Sequence, residues 1–150
     1  SLRANGKPRK LLKQILIVNV HKQGRITILF TRESHDLFGQ EKGSQPLLLA
    51  GAGAEYFYNA NSPDSNYIAV TRGLDNSRAI YQVDRNGKQT QLSSPGKVAT
   101  YPTWSPDGRY VAYLVLVGST WELYLADINT GKNQPVLTNG KKKFYITWER

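Results

Sequence analysis

The chain has 150 residues, 39% hydrophobic and 11% aromatic, which is enough apolar material for a globular core and excludes a disordered composition. It contains no cysteine, so a disulfide framework, a thiolate metal site and a cysteine nucleophile are excluded and the compartment is left open. The net charge of +9 is unevenly spread: Arg3, Lys7, Arg9, Lys10, Lys13, Lys22 and Arg25 all precede the first acid, Glu33, Lys141, Lys142 and Lys143 form a second basic cluster, and the rest is close to neutral.

Residues 1–13 read as a basic N-terminal tail, either a solvated terminus or a contact for an anionic partner. Leu11 to Val20 is the longest apolar stretch, but Lys13, Gln14 and Asn19 interrupt it and it is too short for a bilayer, so no transmembrane segment is expected. The start lacks the basic, apolar, small-residue order of a signal peptide, and the chain lacks methionine, so Ser1 reads as a processed or excised start and the chain as a segment of a longer product. Residues 14–55 read as a degenerate unit of four strands, Ile15 to Val20, Ile26 to Thr31, Asp36 to Gln40 and Pro46 to Leu49.

From residue 56 the chain repeats itself. Ser62-Pro63-Asp64-Ser65 returns as Ser105-Pro106-Asp107-Gly108, and Tyr81-Gln-Val-Asp84 as Tyr124-Leu-Ala-Asp127, each 43 positions later. A period in the low forties is a repeat signature, with one sheet-sized unit per period. Residues 56–98 predict strands at Tyr56 to Asn61, Tyr67 to Arg72, Arg78 to Val83 and Thr90 to Ser93. Residues 99–143 predict strands at Thr100 to Trp104, Tyr110 to Val115, Trp121 to Ala126 and Gln134 to Thr138. In each Pro-Asp turn the proline presets the first central position, and Gly108 can take the positive φ that Ser65 would occupy less comfortably. Asp64, Asp107, Asp84 and Asp127 read as carboxylates that cap their own turns. Residues 144–150, with Tyr145-Ile-Thr-Trp148 echoing Tyr101-Pro-Thr-Trp104, read as the first strand of a further unit. No segment holds a helical period, so almost no helix is expected.

The run Tyr-Pro-Thr-Trp-Ser-Pro-Asp-Gly-Arg-Tyr-Val-Ala-Tyr over 101–113, followed by Glu-Leu-Tyr-Leu-Ala-Asp, Thr-Gly-Lys and Val-Leu-Thr, resembles the repeat of TolB-type β-propellers, a blade type also found in propeller domains of prolyl-oligopeptidase-type serine peptidases. The resemblance covers residues 56–148 well and the earlier part loosely. It implies an all-β fold of about three four-stranded antiparallel blades, incomplete as a single chain because propellers close with about four or more. The rest of the ring would come from a longer chain or from self-association. It also implies export, in a bacterium to the periplasm.

Up-and-down blades put the Pro-Asp turns on one face and the loops 72–78, 94–100, 117–120 and 139–143 on the other. Arg72, Arg78, Lys97, Lys141, Lys142 and Lys143 would then share a rim with Tyr58, Tyr101 and Tyr145, a docking surface for a protein partner of acidic or extended character. Set against this, the three tyrosines also read as blade-packing aromatics and the triple lysine as a solvated loop. Trp104 reads as blade packing and Ser62, Pro63, Asp64, Ser105, Pro106, Asp107 and Gly108 as turn structure. His21 and His35 are the only histidines, no nucleophile elbow or phosphate loop is present, and no cofactor or metal is expected. Three functions follow. One is a non-catalytic interaction module working through loops on one face. The second is a substrate-gating propeller of a larger serine hydrolase. The third is binding to nucleic acid or a membrane surface through the basic N-terminal segment, whose mark is a steep loss of affinity with salt.

Overall fold

The computed structural model describes residues 56–143 and 146–149 and, before them, residues 3–4, 7–8, 17–20, 26–29, 37–39, 45 and 47–50. Two four-stranded antiparallel sheets dominate it, each wound simply up and down. The first comprises β7 (Tyr56–Asn61), β8 (Tyr67–Arg72), β9 (Ala79–Asp84) and β10 (Gln89–Gln91), and the second comprises β11 (Ala99–Trp104), β12 (Tyr110–Val117), β13 (Thr120–Asp127) and β14 (Asn133–Leu137). Tyr67, Ile68, Ala69 and Val70 of β8 face Asp84, Val83, Gln82 and Tyr81 of β9. The second sheet keeps the same scheme: Tyr110, Val111 and Ala112 of β12 face Asp127, Ala126 and Leu125 of β13, with Tyr113 opposite Tyr124.

The preceding region forms two hairpin ladders, β3 (Ile17–Val20) on β4 (Ile26–Leu29) and β5 (Leu37–Gly39) on β6 (Leu47–Ala50). These fall where the four strands of the degenerate unit were expected, with β4 and β5 as neighbours. In the basic tail, β1 (Arg3–Ala4) pairs with β2 (Lys7–Pro8). Among the described residues the only helical element is a single 3-10 turn, Asp75–Ser77. At the other end Ile146–Glu149 carry no strand, so the expected first strand of a further blade is not formed there; a strand exists only against a partner, and among the described residues nothing pairs with this one.

Alternation in β8 and β9 explains how the sheets stack. Ile68, Val70 and Val83 point one way and pack with Leu37 and Leu49 of the hairpin before, with Tyr81 at the edge of the cluster. Ala69 and Ile80 point the other way and pack with Ala99, Trp104, Val111, Tyr113, Val115 and Ala126 of the sheet after. A two-faced sheet of this kind cannot bury its apolar surface alone, and stacking it between neighbours is the propeller solution. The Gly87 turn touches the hairpin before it so closely that a Cβ there would lie 2.2 Å from the Leu49 carbonyl oxygen. The outer strand β14 is mostly exposed, Leu137 included, and carries Pro135, which blunts an open edge.

Candidate functional site

The two ends of the blades differ in chemistry. At one end lie the Pro-Asp turns. Ser65 and Gly108 donate their N–H groups to the carbonyls of Ser62 and Ser105, both at 2.9 Å, closing the expected turns. The Ser62 hydroxyl donates to Asp64 at 2.6 Å and accepts from the Tyr67 N–H at 3.0 Å; Ser105 repeats both bonds with Asp107 and Tyr110, at 2.5 and 2.9 Å. Asp64 and Asp107 accept from the N–H groups of Asn66 and Arg109, at 3.1 and 3.0 Å. Asp84 accepts from Asn86 and Lys88, and Asp127 from Asn129 and Thr130. All four acids are turn caps, as their spacing suggests. The hydroxyl of Ser105 first, and then the Arg109 N–H, hold the Asp107 carboxyl below its usual range. Burial raises that of Asp64, but the bonds from Ser62 and Asn66 outweigh it and the net shift is downward.

The opposite end carries the rim loops. The Ala99 N–H donates to the Arg78 carbonyl at 2.8 Å and the Leu116 N–H to the Val98 carbonyl at 2.9 Å, so the loops 72–78, 94–98 and 117–120 meet there. Both inner strands are bulged near this end: the ladder shifts register between Phe57 and Asn59 in β7 and between Thr100 and Thr103 in β11. The bulge residues are Tyr58 and Tyr101, at φ +26° and +56°, a region that side-chain-bearing residues rarely adopt. Their rings lie 4.0 Å apart between centres and their hydroxyls 2.9 Å apart. Tyr58 is 41% exposed, so it is not a core aromatic. The Tyr101 hydroxyl is shifted above its usual pKa, chiefly by the bond to Tyr58 and then by burial, against the pull of the Arg78 charge.

The structure brings some of the expected rim residues together and separates others. Arg78 lies beside Tyr101 and makes a long ion pair with Asp75, at 3.9 Å. Arg72 lies over the Tyr81 ring, 5.2 Å from its centre. Lys97 sits in the turn closed by its N–H on the Ser94 carbonyl. Lys141 and Lys142 are exposed. Lys143 is committed elsewhere: its ammonium donates to Glu122 at 2.7 Å and to Asn139 Oδ1 and the Lys141 carbonyl, both at 3.0 Å. Tyr145 lies outside the described residues.

Glu122 is the site residue that the sequence reading missed. It is almost fully buried and also accepts from the Gly140 N–H and the Thr120 hydroxyl. Its bond to Lys143, foremost, keeps its carboxyl below the usual range against the effect of burial. The signal was its parity: Glu122, Tyr124 and Ala126 share one side of β13 facing Val115, Tyr113 and Val111, so an acid there demands a buried partner. Among the described residues no group of three or more His, Cys, Asp or Glu could hold a metal ion, and His21 and His35 lie outside them.

No family model matches the chain. Over an aligned stretch of 73 positions, covering 45% of this chain and 16% of the relative, it is 36% identical to the Tol-Pal system protein TolB of Coxiella burnetii. Among solved structures it superposes on TolB from Acinetobacter baumannii with a TM-score of 0.60 at 21% identity, covering 83% of this chain and 33% of that one. The fold is that of a TolB-like β-propeller. The TolB-like structure from Agrobacterium tumefaciens matches at a TM-score of 0.66 and 16% identity, over 86% of this chain and 50% of that one. The chain thus spans half or less of the TolB proteins it resembles. It has their blade type, with nearly all-β content and no helix long and apolar enough to cross a membrane among the described residues.

Proposed function

We propose that this TolB-like propeller segment is a non-catalytic interaction module that works in the periplasm and receives a protein partner on the rim-loop end. The observation that carries the reading is the Tyr58–Tyr101 pair: two part-exposed aromatics at bulges of adjacent inner strands, held in costly backbone conformations beside Arg78. Backbone strain that packing alone does not require collects at binding sites, and a rigid aromatic pair with an arginine alongside offers contact area at small entropic loss. The basic flank, Arg72, Arg78, Lys97, Lys141 and Lys142, favours an acidic or extended segment. The printed name of the curated relative, a Tol-Pal system protein, directs the search to components of that system.

Titration calorimetry against purified Tol-Pal components from the same source tests the reading. Replacing Tyr101 by alanine should weaken binding by at least about tenfold, roughly 1.4 kcal/mol. Substitutions at the opposite end, such as Asn86→Ala, should leave it unchanged. Binding that ignores Tyr101, or that follows the Pro-Asp turns instead, refutes the assignment of the face.

A further inference from the structure

We propose that Tyr58 and Tyr101 form an oxidative cross-linking site, at which a peroxide-driven one-electron oxidant joins the two rings through a carbon–carbon bond and ties the inner strands of neighbouring blades together. The inference stands on the geometry of the pair and does not depend on which partner the rim receives.

The hydroxyl oxygens, 2.9 Å apart, stand closer than the ring centres at 4.0 Å, and the planes are inclined by 32°. The rings therefore converge toward their hydroxyl ends. A phenoxyl radical carries its unpaired spin on the oxygen and on the carbons flanking the hydroxyl-bearing carbon, so the reactive edges are the ones that converge. Each phenol loses one electron and one proton; the two radicals couple between flanking carbons, and proton shifts within the coupled rings restore aromaticity. The balance is two tyrosines and one hydrogen peroxide giving one dityrosine and two waters, with a haem peroxidase as the electron carrier.

Three further observations single out this pair. Positive φ at both bulges fixes the two side chains over one another, so coupling is a reaction between groups already in place. Tyr58 is exposed enough to meet an oxidant. The chain has neither cysteine nor methionine, the side chains that peroxide would otherwise consume first. Among the described side chains, the other tyrosines are placed differently. Tyr113 and Tyr124 are 6.2 Å apart between centres, and the buried Tyr113 hydroxyl is bonded to Asn133; Tyr67 stacks on Trp104; Tyr81 and Tyr110 lie under Arg72 and Arg109. A bond between positions 43 apart would constrain the unfolded chain as a disulfide does, within a stretch of 150 residues that has no cysteine.

The test treats the dilute whole chain with a haem peroxidase and limiting hydrogen peroxide, then follows dityrosine fluorescence, peptide mapping and thermal unfolding. The expected product is an intramolecular link between the peptides holding Tyr58 and Tyr101, lighter by two hydrogens, with a raised unfolding midpoint. Tyr58→Phe and Tyr101→Phe, which keep the rings, should each abolish that product and the rise. Links mapping to other tyrosines, cross-linked dimers formed equally by wild type and Tyr101→Phe, or no link at all would overturn the proposal. Mapping of the wild-type product decides the matter even if a variant folds poorly.

Discussion

The Lys143 ammonium sits 2.7 Å from the Glu122 carboxylate, both side chains nearly buried, and the contact fastens the loop after β14 to the start of β13. Two of the three lysines in the basic run are thus free for solvent and the third is a structural fastening. Removing one member of a buried pair leaves the other charge without compensation, which is far costlier than losing a surface pair. Glu122→Gln and Lys143→Ala should therefore each lower the thermal midpoint clearly, while the double charge reversal of Lys141 and Lys142 to glutamate should stay within about 0.5 kcal/mol of wild type. Thermal melts of the three variants side by side check this; equal losses would show that Lys143 is as dispensable as its neighbours.

The same contact predicts the acid response. The folded carboxyl of Glu122 titrates below its ordinary value of 4.5, and those of Asp64 and Asp107 below 3.8. The unfolded chain then binds more protons than the folded one as pH falls, so their stabilisation is fully present above the ordinary values and disappears as pH drops through the lowered ones. Urea midpoints should fall from neutral to acidic pH in the wild type, and Glu122→Gln should flatten the upper part of that fall. A wild-type midpoint independent of pH below 4.5 contradicts the account.

Blade-to-blade fastening should be measurable at Trp104. Its indole N–H donates to the Ala60 carbonyl at 3.1 Å while the ring is buried between the sheets. Trp104→Phe keeps an aromatic ring and loses the bond, for about 1 kcal/mol. Trp104→Ala leaves a cavity at the junction of the two sheets and should cost about 3–5 kcal/mol. Chemical denaturation separates the two; a Phe variant as damaged as the Ala variant would mean that the bond and not the packing dominates.

The turns offer a test in the stabilising direction. Ser65 holds φ +59° where its repeat partner Gly108 holds +73°, and the Ser65 hydroxyl is buried without a hydrogen-bond partner. Ser65→Gly should stabilise by about 1 kcal/mol, the relief of a left-handed residue less the extra freedom of glycine in the unfolded chain. Gly108→Ala should destabilise by about 1–2 kcal/mol through the backbone alone, since a Cβ there would meet only Pro63, at ordinary contact distance. Loss of stability in Ser65→Gly would show that the turn is not strained.

Much of this arrangement was legible in the residues because it is local. Pro63 and Pro106 fix their turns, the aspartates cap theirs, and the strand starts at Tyr56, Tyr67 and Tyr110 coincide with expectation because alternation and punctuation act within a few residues. The strain at Ser65 could be anticipated, since its repeat partner is glycine. The fourth strand of the first full blade ends earlier than expected, at Gln91, because Leu92 and Ser93 instead donate their N–H groups to the Ile80 carbonyl.

The order of residues along the chain was enough to set the blade type, the register of its turns and the end on which each loop lies, since a 43-residue echo repeats everything that depends on near neighbours. What crosses from one element to the next was settled in three dimensions. That Tyr58 and Tyr101 meet hydroxyl to hydroxyl depends on two bulges and on how the second sheet is set against the first. That Lys143 is tied to Glu122 instead of standing free in solvent depends on a loop folding back over a buried acid, which no local preference encodes. Contacts of that kind arise from the stacking of sheets, and stacking is governed by burying both faces of every blade at once.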